Sequence, residues 1–166
     1  MKIATYNLRF GGKLGNRVHW KKIMEAAGPD IFLVQETLSP EHYFPKDLAA
    51  DFTRQTHWQA VDGREWGSAV YVRSGQVVPL NPLSPELSGW VTGVKVTGLG
   101  WPLLADESLY IYSIHAPSGR SSYVRRVNLI LDLIKVQIPV DATVIIGGDF
   151  NLTVGFRHPE EKLQKN

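Results

Sequence analysis

The sequence predicts an α/β layered fold built as one domain. Two observations carry that prediction. Short apolar runs of strand length alternate with two amphipathic helical stripes. The chain has 166 residues, a length that suits a single domain. Hydrophobic residues make up 43% and charged residues 20%, ordinary for a folded globular chain and too apolar for a disordered one.

Residues 2–8 alternate Ile3, Thr5, Asn7 against Ala4, Tyr6, Leu8, the period of a strand. Gly11-Gly12 marks a turn. Asn16 is a candidate cap for a helix carrying Trp20, Ile23, Met24 and Ala27 on one face, and Gly28-Pro29 stops it. Ile31-Phe32-Leu33-Val34 is wholly apolar, as for a strand covered on both faces, and runs into Gln35-Glu36-Thr37. A short helix is expected near Lys46–Phe52. His57–Val61 and Ser68–Arg73 read as strands around the turn Asp62-Gly63. Residues 74–89 hold Gly75, Pro79, Pro82 and Pro85 and are expected to be mostly loop. Trp90–Val96 and Leu109–His115 read as a strand pair. The clearest helix follows, with Val124, Val127, Leu131, Ile134 and Ile138 as its stripe, Ser121 or Ser122 as cap and Pro139 as stop. Thr143–Ile146 reads as another buried strand and leads into Gly147-Gly148-Asp149-Phe150-Asn151.

There is no cysteine, which excludes disulfides, thiolate metal sites and a cysteine nucleophile. No apolar run reaches the roughly 18 residues that span a bilayer, and the N-terminus turns polar too early for a signal-peptide core. The expected compartment is therefore the cytoplasm. The formal net charge is only +2. Its distribution is uneven: Lys2, Arg9, Lys13, Arg17, Lys21 and Lys22 all precede the first acidic residue, Glu25. Such a stretch is either a solvated basic face or a contact for phosphates.

Three of the most apolar runs end in polar residues, Glu36, His115 and Asp149, and ligands of open α/β sheets gather at strand ends. Singly, each has a plain structural role as a cap, a turn former or a satisfied histidine. Together with Asn7 and Asn151 they form an oxygen-rich set with one imidazole. Carboxylate and amide oxygens suit a hard cation such as Mg²⁺ or Mn²⁺, and the lack of cysteine and of a close histidine pair argues against structural zinc. A cation, basic donors and a histidine near a carboxylate are what phosphate-ester hydrolysis requires.

Thr5-Tyr6-Asn7-Leu8-Arg9, Leu33-Val34-Gln35-Glu36-Thr37, Trp66-Gly67-Ser68-Ala69-Val70-Tyr71-Val72, Ser113-Ile114-His115-Ala116-Pro117-Ser118-Gly119-Arg120 and Ile146-Gly147-Gly148-Asp149-Phe150-Asn151 resemble, in order, the motifs of the endonuclease/exonuclease/phosphatase superfamily. Its members include pancreatic-type deoxyribonucleases. The resemblance implies a four-layer α/β/β/α sandwich of mixed sheets over residues 1–155, with 156–166 as a polar tail. It implies Mg²⁺-dependent hydrolysis of a phosphoester by water, most simply on nucleic acid. Glu36 matches the family's metal-binding glutamate and Asn7 the asparagine beside it. His115, Asp149 and Asn151 match its catalytic histidine, its water-orienting aspartate and its phosphate-donating asparagine. Arg9 and Arg120 are candidate substrate-binding cations. Family members carry further strands and a Ser-Asp-His-type motif after Gly-Asp-x-Asn. This sequence has none, and His158 sits in a polar tail without a strand before it. The chain thus reads as a truncated or divergent member with an exposed sheet edge that favours self-association. Two alternatives stand beside a nuclease: a lipid or sugar phosphatase of the same family, and a non-catalytic interaction module on its scaffold. Trp20, Trp66, Trp90 and Trp101 are candidates for stacking on bases, with the core as their commoner place.

Overall fold

A computed structural model describes residues 1–10, 19–43, 52–99, 108–117 and 122–152. Two four-stranded sheets face each other. The first contains β1 (Ile3–Asn7), β2 (Ile31–Thr37), β3 (Thr56–Ala60) and β4 (Gly67–Val72), in the order β1-β2-β4-β3. The second runs β5-β6-β7-β8: Gln76–Pro79, Val91–Thr97, Leu109–His115 and Thr143–Asp149. Each sheet has one parallel pair, and parallel neighbours need a crossover. Helix α1 (His19–Ala27) lies between β1 and β2, and α2 (Tyr123–Gln137) between β7 and β8.

The strand period of two sorts the side chains into layers. Ile31 and Leu33 of β2, Val70 and Val72 of β4, Val94 and Val96 of β6, and Leu109 and Ile111 of β7 fill the space between the sheets. Phe32, Val34, Ala69 and Tyr71 point the other way and pack on Trp20 of α1. Tyr110, Tyr112 and Ile114 pack on Ile130 and Ile134 of α2. The result is a four-layer sandwich, helix on sheet on sheet on helix. Both faces of β2 and β7 are covered, so both strands are buried along their whole length.

Helix ends follow their sequence signals. Gly28, at φ +49, closes α1 by donating its N–H to Met24 O. Ser122 caps α2 by accepting from the Arg125 N–H.

The structure refines one expectation and corrects two. Residues 74–89 are mostly loop, as expected, but Gln76–Pro79 within them forms a strand, β5, and pairs antiparallel with β6. Pro79 is tolerated there because β5 is an edge strand. The buried stripe of α2 is Val127, Ile130 and Ile134, while Val124 faces outward. β8 is not a buried strand: it ends its sheet, and Val144 is exposed. The Gly11-Gly12 turn, the Asn16 cap, Lys46–Asp51 of the expected short helix, Trp101, Ser121, Arg120, His158 and the 156–166 tail fall outside the described residues.

Candidate active site at the strand ends

Parallel pairing brings strand ends of the same polarity together. β1 and β2 place Asn7 beside Gln35, and β7 and β8 place His115 beside Asp149. The two sheets stack so that all four ends open at one side of the sandwich. Beneath them a buried polar bridge ties sheet to sheet. Gln35 Nε2 donates to Ser113 Oγ at 2.9 Å, and Ser113 Oγ donates to Val34 O at 3.2 Å.

Glu36 does not follow the regular pleat. The β2–β4 register shifts between Val34 and Thr37, and Glu36 takes φ +50. A bulge of this kind re-aims a side chain, and a non-glycine residue in the left-handed region costs about 1–2 kcal/mol. The carboxylate recovers that cost in contacts. Its Oε1 accepts from Asn7 Nδ2 at 2.8 Å, its Oε2 accepts from the Phe10 N–H at 2.9 Å, and His115 Nε2 stands 3.3 Å from Oε1.

Asn7 is the hub. Its Nδ2 also donates to Asp149 Oδ2 at 2.9 Å, so one amide group holds carboxylates from both sheets. Its Oδ1 accepts from the Arg9 N–H at 2.8 Å, the local turn that an asparagine at a strand end favours. Arg9 and Phe10 follow at φ +51 and +62. Asp149 Oδ1 accepts from the Asn151 N–H at 3.0 Å, and Asn151, at φ +52, donates its own amide to Ala116 O at 3.1 Å. Gly148 just before Asp149 sits at φ +142 against Ile114 O, where any Cβ would stand 2.0 Å away.

His115 is buried, and burial pushes its pKa below the ordinary 6.5, against the opposing pull of Glu36 and Asp149. The contact with Glu36 calls for the proton on Nε2. The neutral ring then presents a bare lone pair at Nδ1, which is buried with no hydrogen-bond partner.

The structure thus brings together Asn7, Glu36, His115, Asp149 and Asn151. Arg9 is exposed beside them, and Arg120 lies outside the described residues. Trp20 belongs to the core under α1, whereas Trp66 and Trp90 line the cleft. Sequence reasoning missed Phe10, Arg64 and Tyr123, which also line this cleft of about 380 Å³. Only Phe10 had a signal, as the residue directly after Asn7-Leu8-Arg9.

Among the described residues, no three His, Cys, Asp or Glu side chains converge as a ready-made metal cage. Mg²⁺ does not require one, since it usually takes one or two carboxylates and keeps several waters. Two carboxylates held by one amide fit that donor chemistry, and a cation there offsets their mutual repulsion.

A model of the Endonuclease/Exonuclease/phosphatase family matches residues 4–161. The chain belongs to this family. Solved structures of the same fold include a humanized D. rerio TDP2, with 20% identity and a TM-score of 0.61, covering 93% of this chain and 63% of that one. The endonuclease domain of TRAS1, a telomere-specific non-LTR retrotransposon, shares 16% identity at a TM-score of 0.59, with 92% and 61% covered. D. rerio TDP2 complexed with a single-strand DNA product shares 19% at 0.58, again with 92% and 61% covered. This family member therefore spans about three fifths of the length of these relatives. No curated protein is similar enough in sequence to match it.

Proposed function

We propose that this chain hydrolyses phosphate esters of nucleic acid, with water as the nucleophile and a divalent cation held by Glu36 and, through its side-chain oxygen Oδ1, by Asn7. The observation that carries the reading is the Asn7 amide joining Glu36 and Asp149, with His115 on the same glutamate. A protein core has no use for two carboxylates drawn together in this way, whereas a phosphate site with a cation does. The family to which the chain belongs, an endonuclease domain of the same fold, and a relative solved with a single-strand DNA product favour a nucleic-acid substrate.

The bound cation supplies charge neutralisation at the phosphate. The chain's residues do the rest. Asp149, fixed by Asn7 and the Asn151 backbone, accepts a hydrogen bond from the attacking water and turns its lone pair toward phosphorus. His115 keeps its proton on Nε2 against Glu36 and holds that carboxylate in place; a phosphate oxygen that entered between them would receive the same N–H. Asn151 holds the Asp149 turn against Ala116 and offers its side-chain amide to the phosphate when that bond is exchanged. Arg9, at the exposed rim, and Arg120 meet flanking phosphates.

Calorimetric titration with Mg²⁺, paired with turnover of a generic phosphodiester, tests the reading. Binding together with Mg²⁺-dependent hydrolysis supports it. Absence of both leaves the chain as a non-catalytic module on the family scaffold.

A further inference from the structure

The chemistry above leaves the wall of the cleft without a task, and that wall is aromatic. Phe10 meets Trp66 edge to face, with ring centres 5.5 Å apart. Trp66 meets Trp90 at 5.3 Å and nearly perpendicular. Trp90 stands 5.1 Å from the His115 imidazole. The row runs without a break from the surface to the ring that touches Glu36.

Its outer end is open. Phe10 is 67% exposed, while Trp66 behind it is buried. The backbone does not let Phe10 withdraw. Its N–H is bonded to Glu36 Oε2, and residues 9 and 10 both sit in the left-handed region. The carboxylate at the centre of the site therefore also presents the phenyl ring beside it. Two consecutive residues at positive φ cost backbone energy that a mere surface loop does not need. Arg64 lies in the same lining and adds a cation next to the rings. The cleft, about 380 Å³, falls in the size range of ligand pockets, roughly 300–1,000 Å³.

Flat apolar rings beside a phosphate site fit a planar aromatic group joined to that phosphate. In a duplex, both faces of each base are covered by its neighbours. A single strand offers them, and stacking on aromatic side chains accepts any base. Resting on the reading that this cleft takes a phosphate ester, we infer that the row Phe10–Trp66–Trp90 receives an unstacked nucleobase next to the bound phosphate. The substrate is then single-stranded nucleic acid.

Fluorescence anisotropy tests this on the whole chain with labelled oligonucleotides of equal length, in EDTA so that no hydrolysis intervenes. The single strand binds at least about 10-fold tighter than the duplex, and Phe10→Ala removes about 10-fold of single-strand affinity. Phe10→Tyr, which keeps a ring, retains it. In competition, a nucleoside 5′-monophosphate displaces the strand at a lower concentration than ribose 5-phosphate. Equal binding of duplex and single strand, or a Phe10→Ala variant that binds like the parent, overturns the inference. Phenyl phosphate competing as well as the nucleotide overturns the assignment to a base. The two readings fail separately. Mg²⁺-dependent turnover with no dependence on Phe10 removes only this inference. Strand binding that depends on Phe10, without turnover, removes only the proposed hydrolysis.

Discussion

Replacing Gly148 by alanine isolates the backbone feature that positions Asp149. Gly148 sits at φ +142, a conformation L side chains rarely adopt, and pairs with Ile114 in the parallel β7–β8 ladder. A Cβ at this position lies 2.0 Å from Ile114 O and 2.8 Å from Ile114 C and N. These are backbone atoms of a buried central strand, so no rotamer change relieves the clash. Separation to 3.0 Å, the lower limit of real Cβ contacts, needs β8 to retreat by about 1 Å. The strained φ adds about 1–3 kcal/mol and the overpacking about 1–3 kcal/mol, so the variant loses about 2–6 kcal/mol of stability. Asp149 is the next residue and moves with the strand. A displacement of about 1 Å at a reacting group costs about 100-fold in rate. Gly147→Ala is the control, because its Cβ meets only Leu33 Cδ1, the end of a flexible side chain, at 2.7 Å. It is expected to lose no more than about 1–2 kcal/mol. Urea unfolding of both variants, together with phosphodiester turnover, makes the comparison. If Gly148→Ala is as stable and as active as Gly147→Ala, the argument that this glycine seats Asp149 is wrong.

Glu36→Ala is expected to weaken Mg²⁺ binding by more than about 100-fold, beyond the 10–100-fold typical of outer-shell partners, and calorimetry that finds unchanged affinity removes Glu36 as a ligand. Asp149→Asn is expected to reduce turnover by about 10²–10⁴. It also shifts stability by about 1–2 kcal/mol, because both carboxylate oxygens accept hydrogen bonds and the new NH₂ must face a donor; full residual turnover shows that the water is oriented elsewhere. Burial lowers the pKa of His57 on β3 from 6.5, so below that pH the unfolded chain binds more protons than the folded one. Stability should therefore be full above about pH 6.5 and decline as the pH falls through it. His57→Leu should flatten that decline, and identical slopes in pH-dependent urea unfolding refute the assignment. Among the described residues, β1 and β8 each pair on one side only, with Ile3, Tyr6 and Val144 exposed. Such edges favour pairing with a second copy, so sedimentation velocity should show mass rising with concentration; a constant monomer mass refutes it.

The layers and the members of the candidate site are legible in the residues alone. The apolar run Ile31–Val34 and the largely apolar run Leu109–Ile114 announce strands covered on both faces, and polar residues, Glu36 and His115 among them, follow each. Hence Glu36, His115 and Asp149 were legible as a set before any geometry was known. Local patterns failed where a partner decided the outcome. β5 exists because β6 lies beside it, although its own residues read as loop. Ile130 rather than Val124 is buried because the contact with the second sheet selects the side of α2. The arrangement of the site belongs to tertiary structure alone. Asn7 and Asp149 are 142 positions apart in the chain, and only the stacking of two sheets puts one amide between two carboxylates. The bulge at Glu36 and the left-handed turn at residues 9 and 10 depend on those contacts, so no nearby residue type signals them. The aromatic row joins β1's exit, the start of β4 and the start of β6, and such a surface forms only when strands from different sheets close on one another.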